Sequence, residues 1–219
     1  MNKLTEHNKE VLENYKKLIE DEHIDLSSPL LVSSDNEYLS SLKRKIMYIG
    51  QETNGWVNYK KGLSEITSKK LEEEYYNFLK NKTYKSPFWK FIKESLEQEE
   101  VASSIIWSNI FICGNKIGYG KPARHEKLLD MSKENLIFLN DFFNPEYTLF
   151  VCGPTSPYYV VVDSFLEYKD SSLLGRYPSK SSPVIYDDKN NIIWTYHPGY
   201  LRRKNLYEET KEKIKILIK

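Results

Sequence analysis

A chain of 219 residues is long enough for one compact domain with a substantial core, and 40% apolar with 29% charged residues is a globular composition. Thirty-two Lys and Arg against 31 Asp and Glu leave a net charge of +1, which excludes coating nucleic acid by bulk charge and leaves only a local basic patch for such a contact. Two cysteines, Cys113 and Cys152, exclude a disulfide scaffold and any zinc or iron–sulfur site needing four thiolates. The opening MNKLTEHNKE has no apolar stretch of the secretory kind, and no apolar run approaches a bilayer span. The expected setting is therefore the cytoplasm, without membrane contact. Aromatic residues reach 14%, with 17 Tyr and 4 Trp. Such rings suit binding surfaces, although a Lys-, Asn-, Ile- and Tyr-rich composition is also that of AT-rich coding sequence, which we take as the larger cause.

In chain order, Leu4, Val11, Leu12, Tyr15, Leu18 and Ile19 form one stripe and predict a helix over 4–22. A short helix over 35–43 follows. The apolar run from Lys45 to Ile49, stopped by Gly50, has the profile of a buried parallel strand. Residues 64–80 predict a helix rich in Glu and Lys. Ser86-Pro87 starts another, with Ser as cap and Pro in the first turn, running to about Gln98. Residues 103–112 read as the second strand. Ser132 is expected to cap a helix through Phe143, with Leu136, Ile137, Leu139 and Phe143 inward and Pro145 stopping it.

Tyr147 to Cys152 is a third strand broken by Gly153-Pro154, and 156–167 reads as helix. Val184–Tyr186 and Ile192–Tyr196 flank an Asp-Asp-Lys-Asn-Asn turn as strands. A helix over 205–218 closes the chain. Strands alternating with helices predict an α/β sandwich around a mostly parallel sheet, in a single domain without repeats or linkers.

Ligands of open α/β sheets bind beyond the carboxyl ends of the strands, so the residues just after each strand are the candidates. They are Gly50-Gln51-Glu52-Thr53-Asn54-Gly55-Trp56 after the first, Asn109 near the middle or end of the second, Gly153-Pro154-Thr155 after the third, and His197-Pro198-Gly199-Tyr200-Leu201-Arg202-Arg203 after the last. The pattern resembles the uracil-DNA glycosylase superfamily, with the chain as a divergent member. That family carries a motif of the type Gly-Gln-Asp-Pro-Tyr after strand one and one of the type His-Pro-Ser-Pro-Leu after the last strand. Gly50-Gln51-Glu52 and His197-Pro198-Gly199-Tyr200-Leu201 stand in those places. Trp107-Ser108-Asn109 stands where the family has a base-reading Asn, and Ser86-Pro87-Phe88-Trp89 where a Pro-led helix commonly precedes it. The resemblance covers roughly residues 45 to 205.

The resemblance implies a three-layer α/β/α sandwich with an N-terminal helical extension over about 1–44. It implies hydrolysis of an N-glycosidic bond in DNA, releasing uracil or a modified base as in base-excision repair, without metal or organic cofactor. Glu52 would stabilise the sugar cation and orient water, His197 would donate to the departing base, and Asn109 would read a pyrimidine edge. Gly50 and Gln51 would help hold the base, and Trp56 and Phe88 would sandwich it once it leaves the stack. Leu201 would wedge into the vacated space, and Arg202, Arg203 and Lys204 would hold phosphates. Glu52 in place of Asp, Thr53-Asn54 in place of Pro-Tyr and Gly199-Tyr200 in place of Ser-Pro leave open which base is read. They also leave two other functions: an inactive relative that binds nucleic acid or a nucleotide, and a hydrolase of free nucleosides or nucleotides. No other chemistry is indicated. Gly118-Tyr119-Gly120-Lys121 lacks the spacing of a phosphate loop, no Gly-x-Ser-x-Gly elbow occurs, and His7, His23, His125 and His197 have no metal-binding spacing.

Overall fold

The computed structural model describes residues 2–53, 56–57, 63–81, 85–98, 100–118, 120–122 and 125–218. Helix α1 (Lys3–Glu22) begins at Asn2, whose side-chain oxygen accepts from the Leu4 N–H, and ends at His23 in a left-handed conformation with φ of 51°. Helix α2 (Asn36–Ser41) is capped by Asp35 and α3 (Ser68–Lys80) by Thr67, each accepting from first-turn N–H groups. The sequence places α4 (Pro87–Leu96) correctly: Ser86 accepts from the Trp89 N–H and Pro87 occupies the first turn.

Helix α5 (His125–Phe143) starts earlier than expected. Ser132 is no cap: it lies on the buried stripe shared by Leu128, Leu136, Leu139 and Phe143, where its hydroxyl has no partner among the described residues. Helices α6 (Tyr158–Tyr168) and α8 (Tyr207–Leu217) fall close to expectation. Helix α7 (Pro198–Arg203) was not anticipated, because six residues are too few to show a helical period.

Strands β1 (Ile46–Gly50), β2 (Ile105–Asn109), β3 (Tyr147–Val151), β4 (Val184–Asp187) and β5 (Ile192–Thr195) form one sheet in the order β2-β1-β3-β5-β4. All pairings are parallel except β4 with β5. Every residue of β1 and β2 is buried, as expected of parallel strands covered on both faces. Helix α4 packs with α7 and α8, and α5 packs with α6. The chain steps outward from β1 to β2, then back past β1 to β3 and onward to β5. Right-handed crossovers therefore carry the β1–β2 connection to one face and the β2–β3 and β3–β5 connections to the other, where α5 and α6 meet, and open a crevice at the carboxyl ends of β1 and β3.

The free edge of β2 is sealed by tyrosines. The Tyr75 hydroxyl accepts from the Trp107 N–H at 2.8 Å and donates to the Trp107 carbonyl at 3.2 Å, while Tyr38 donates to the Ile105 carbonyl at 3.1 Å. Backbone groups on an edge strand invite pairing with other chains, and here side chains occupy them. The segment expected as a helical extension is part of the core. Leu26 to Val32 is buried, the Leu30 N–H donates to the Ile112 carbonyl at 2.6 Å, and α1 packs on α3 and α5. No helix among the described residues is long and apolar enough to cross a membrane.

One expected role is corrected by this packing. Leu201 is 0% exposed and belongs to the core, because the turn of α7 rotates it inward, so it is not positioned as a wedge. Its truncation should behave as a core cavity. Leu201→Ala should lower unfolding free energy by about 2–5 kcal/mol, read as a lower urea midpoint; an unchanged midpoint would place Leu201 at the surface.

Candidate functional site

The parallel register fixes the rim. Gly50 pairs with Asn109 across β1 and β2, and Val151 pairs with Thr195 across β3 and β5. The segments leaving β1 and β2 stay together for two more residues, as Ile110 and Phe111 N–H groups donate to the Gly50 and Gln51 carbonyls, both at 2.9 Å. A cleft of about 610 Å³ opens here, lined by Gln51, Glu52, Trp56, Phe88, Asn109 and His197 together with Arg203 and Tyr158. Thus the loop after β1 and the loop after β5 meet at one site, joined by the end of β2.

Gly50 does not line the cleft but makes it possible. A Cβ there would fall 2.4 Å from the Asn109 side-chain amide and 2.8 Å from the Phe88 ring. No residue larger than Gly lets both approach the strand end. The Asn109 amide, oriented to satisfy both its groups, accepts from the Thr53 N–H at 3.3 Å and donates to the Ser108 carbonyl at 3.0 Å. An amide has two N–H donors and two oxygen lone pairs, so one of each is left for a ligand. Thr53 is itself held, since Ser27 Oγ lies 3.1 Å from its hydroxyl and accepts from the Gly114 N–H at 2.9 Å. Gln51 is fixed by donating to the Cys152 carbonyl at 2.8 Å.

Glu52 is mostly shielded from solvent. Burial pushes its carboxyl above the ordinary range, and a 2.6 Å hydrogen bond from the Tyr158 hydroxyl partly offsets this by stabilising the anion. Sequence reasoning missed Tyr158, because a Tyr at the start of a helix has no motif around it.

His197 caps α7. Its Nδ1 accepts from the Gly199 N–H at 3.1 Å. An accepting Nδ1 carries no proton, so the neutral ring holds its proton on Nε2 and donates there. Burial, helped by the nearby Arg203 charge, depresses its pKa to about 4. The ring therefore remains a neutral donor throughout the physiological range. Gly199 suits the cap, because a Cβ at that position would lie 3.2 Å from Nδ1.

The aromatic candidates separate. Phe88 stacks on His197 with centroids 6.2 Å apart, and its carbonyl accepts from Tyr48 at 2.8 Å. Trp56 instead meets Trp107 at 5.3 Å and Phe78 at 5.5 Å, farther along the wall. The two do not face one another in any ring contact among the described residues. The basic candidates separate too. Arg203 lines the cleft, whereas Arg202 lies 4.5 Å over the Tyr207 ring and borders a different hollow with Glu94, and Lys204 lies 6.0 Å over Tyr200. The short helix points its successive residues in different directions, so three consecutive cations cannot share one face. Asn54 and Gly55 of the loop after β1 lie outside the described residues. No cluster of His, Cys, Asp and Glu fit to hold a metal occurs among the described residues.

Compared with known proteins, the chain matches no family model and no curated sequence.

The tautomer and charge of His197 are open to direct test. Nitrogen-15 NMR of the imidazole should show Nε2 protonated and titration near pH 4, with the midpoint rising in Arg203→Gln because a neighbouring positive charge is removed. Titration at the ordinary pH of about 6.5 would contradict the environment described.

Proposed function

We propose that this chain recognises a nucleobase and hydrolyses its N-glycosidic bond, as a DNA glycosylase releasing uracil or a modified base. The observation that carries this reading is the convergence of Glu52, Asn109 and His197 on one cleft. The strand order β2-β1-β3-β5 with helices packed in two groups supports a three-layer α/β/α sandwich of the uracil-DNA glycosylase-like type.

The reaction breaks the C1′–N bond and sends the bonding electrons into the base. The sugar becomes cationic and the base anionic. The Glu52 carboxylate suits the sugar side, where it stabilises the cation and orients the attacking water. Water supplies the hydroxyl to C1′, and its remaining proton balances the released base. On the base side, the Nε2–H of neutral His197 donates to the developing anion. A neutral imidazole does this without a fixed cation that would also bind the unreacted state more tightly. Asn109 offers its remaining donor and acceptor to the base edge, and Phe88 covers a face. Tyr158 keeps Glu52 oriented and its anion stabilised.

A second reading has its own support. Arg202 and Lys204 pack on tyrosines away from the cleft, leaving Arg203 as the basic member of the 202–204 run that lines it. A positive stripe built on that run is thus not assembled, which favours a free nucleoside or modified nucleotide as substrate over a strand held by many phosphates.

A screen for released base, on oligonucleotides and on nucleosides carrying uracil or modified pyrimidines, tests the reaction. Glu52→Gln should lose about 10²–10⁴ in rate and His197→Ala about 10²–10³; both variants as active as the wild type would contradict the assignment. Activity should fall on acidification through the raised Glu52 pKa, because the anion is the working form, with no limb near pH 6.5 from His197. Tyr158→Phe removes the hydrogen bond that lowers the Glu52 pKa, so the acid limb should move to higher pH.

A further inference from the structure

The cleft is larger than its polar cluster requires. Its volume of about 610 Å³ falls within the ~300–1,000 Å³ of sites that enclose drug-sized ligands, whereas Glu52, Asn109 and His197 address a single ring and its sugar. The remaining wall is aromatic. Ring contacts run from His197 to Phe88, then Phe88 to Trp89 at 5.0 Å, Trp89 to Trp107 at 4.9 Å and Trp107 to Trp56 at 5.3 Å. Phe78 joins the end of this series, 5.3 Å from Trp107, and is 37% exposed within the cleft wall. Trp89 and Trp107 are buried, so the wall is backed by the core and not a loose surface patch.

A polar signal lies on the same wall. The Trp56 indole nitrogen is buried and has no hydrogen-bond partner among the described residues. An indole N–H only donates, and buried donors are paired in folded proteins, so an acceptor belongs there. With both carbonyl oxygens of a pyrimidine such as uracil taken by Asn109 and His197, the bare ring supplies neither a flat group for Phe78 and Trp107 nor a further oxygen for Trp56.

We infer that the substrate base carries a second, flat substituent, aryl or aryl-acyl in kind, which lies on the Trp56–Phe78–Trp107 wall and offers an oxygen to Trp56 Nε1–H. This rests on the base-binding reading above and narrows its substrate class from bare uracil to a base enlarged at its edge. The same chemistry, a second π-system next to the first, would also come from the neighbouring nucleotide of a strand, and the test separates the two sources.

The full chain is titrated by calorimetry with deoxycytidine, with N4-benzoyl-deoxycytidine, and with an unmodified deoxycytidine–thymidine dinucleotide; released base is measured on the same samples. The benzoylated nucleoside should bind about tenfold or more tightly than deoxycytidine, the scale of one aromatic stacking contact. That ratio should shrink in Phe78→Ala, which removes wall, and in Trp56→Phe, which keeps the ring and removes the N–H. Equal binding of the two nucleosides overturns the inference, as does a ratio undiminished in both variants. A dinucleotide as tight as the benzoylated nucleoside assigns the wall to a neighbouring base and overturns the substituent. The expected ratio, with no base released from any compound, upholds the inference and defeats hydrolysis instead.

Discussion

In a parallel sheet every strand delivers its carboxyl end to the same rim, and here the pairing of Gly50 with Asn109 and of Val151 with Thr195 decides what meets there. Glu52 and His197 are far apart in sequence, yet each leaves its strand within two residues of that rim. The backbone register brings them together, and the register is specified because β1 and β2 are buried on both faces, where a one-residue slip would exchange the sets of packed side chains.

Given that rim, the local chemistry follows from a few close contacts. Gly50 leaves space for Asn109 and Phe88 to reach the strand end. The N-cap of α7 consumes the Nδ1 lone pair of His197, so one hydrogen bond both starts a helix and sets the protonation state of a side chain in the cleft. Burial acts on the two titratable groups in opposite directions: it raises the pKa of Glu52 and lowers that of His197, each towards its neutral form. The Tyr158 hydrogen bond returns anionic character to Glu52, whereas the Arg203 charge reinforces the neutrality of His197. A carboxylate and a neutral donor in one cleft are the pair that separating a sugar cation from a base anion calls for.

Much of this was legible before the structure. The strands, the Ser86-Pro87 helix start, and the clustering of Glu52, Asn109 and His197 could be read because the first buried strand stops at Gly50 and the last just before His197, although the second strand, read as 103–112, ends at Asn109. What could not be read depended on direction within short elements. Leu201 looks like an exposed tip in sequence, but the single turn of α7 sends it into the core and distributes Arg202, Arg203 and Lys204 around the helix. Ser132 resembles a cap until the buried stripe from Leu128 to Phe143 is seen to pass through it. Tyr158, Phe78 and the Trp107 face of the cleft come from elements that only tertiary packing brings near, and no local pattern marks them. The tyrosine content, attributed largely to coding bias, proves partly structural at Tyr38 and Tyr75, which seal the edge of β2.

The proposed chemistry requires one site acting on one ring. A nitrogen-15 NMR titration of the labelled chain with a free pyrimidine base follows the Asn109 side-chain amide and the His197 Nε2–H simultaneously. Both signals should shift with a single shared dissociation constant. Separate constants, or a shift in one group with none in the other, would contradict it.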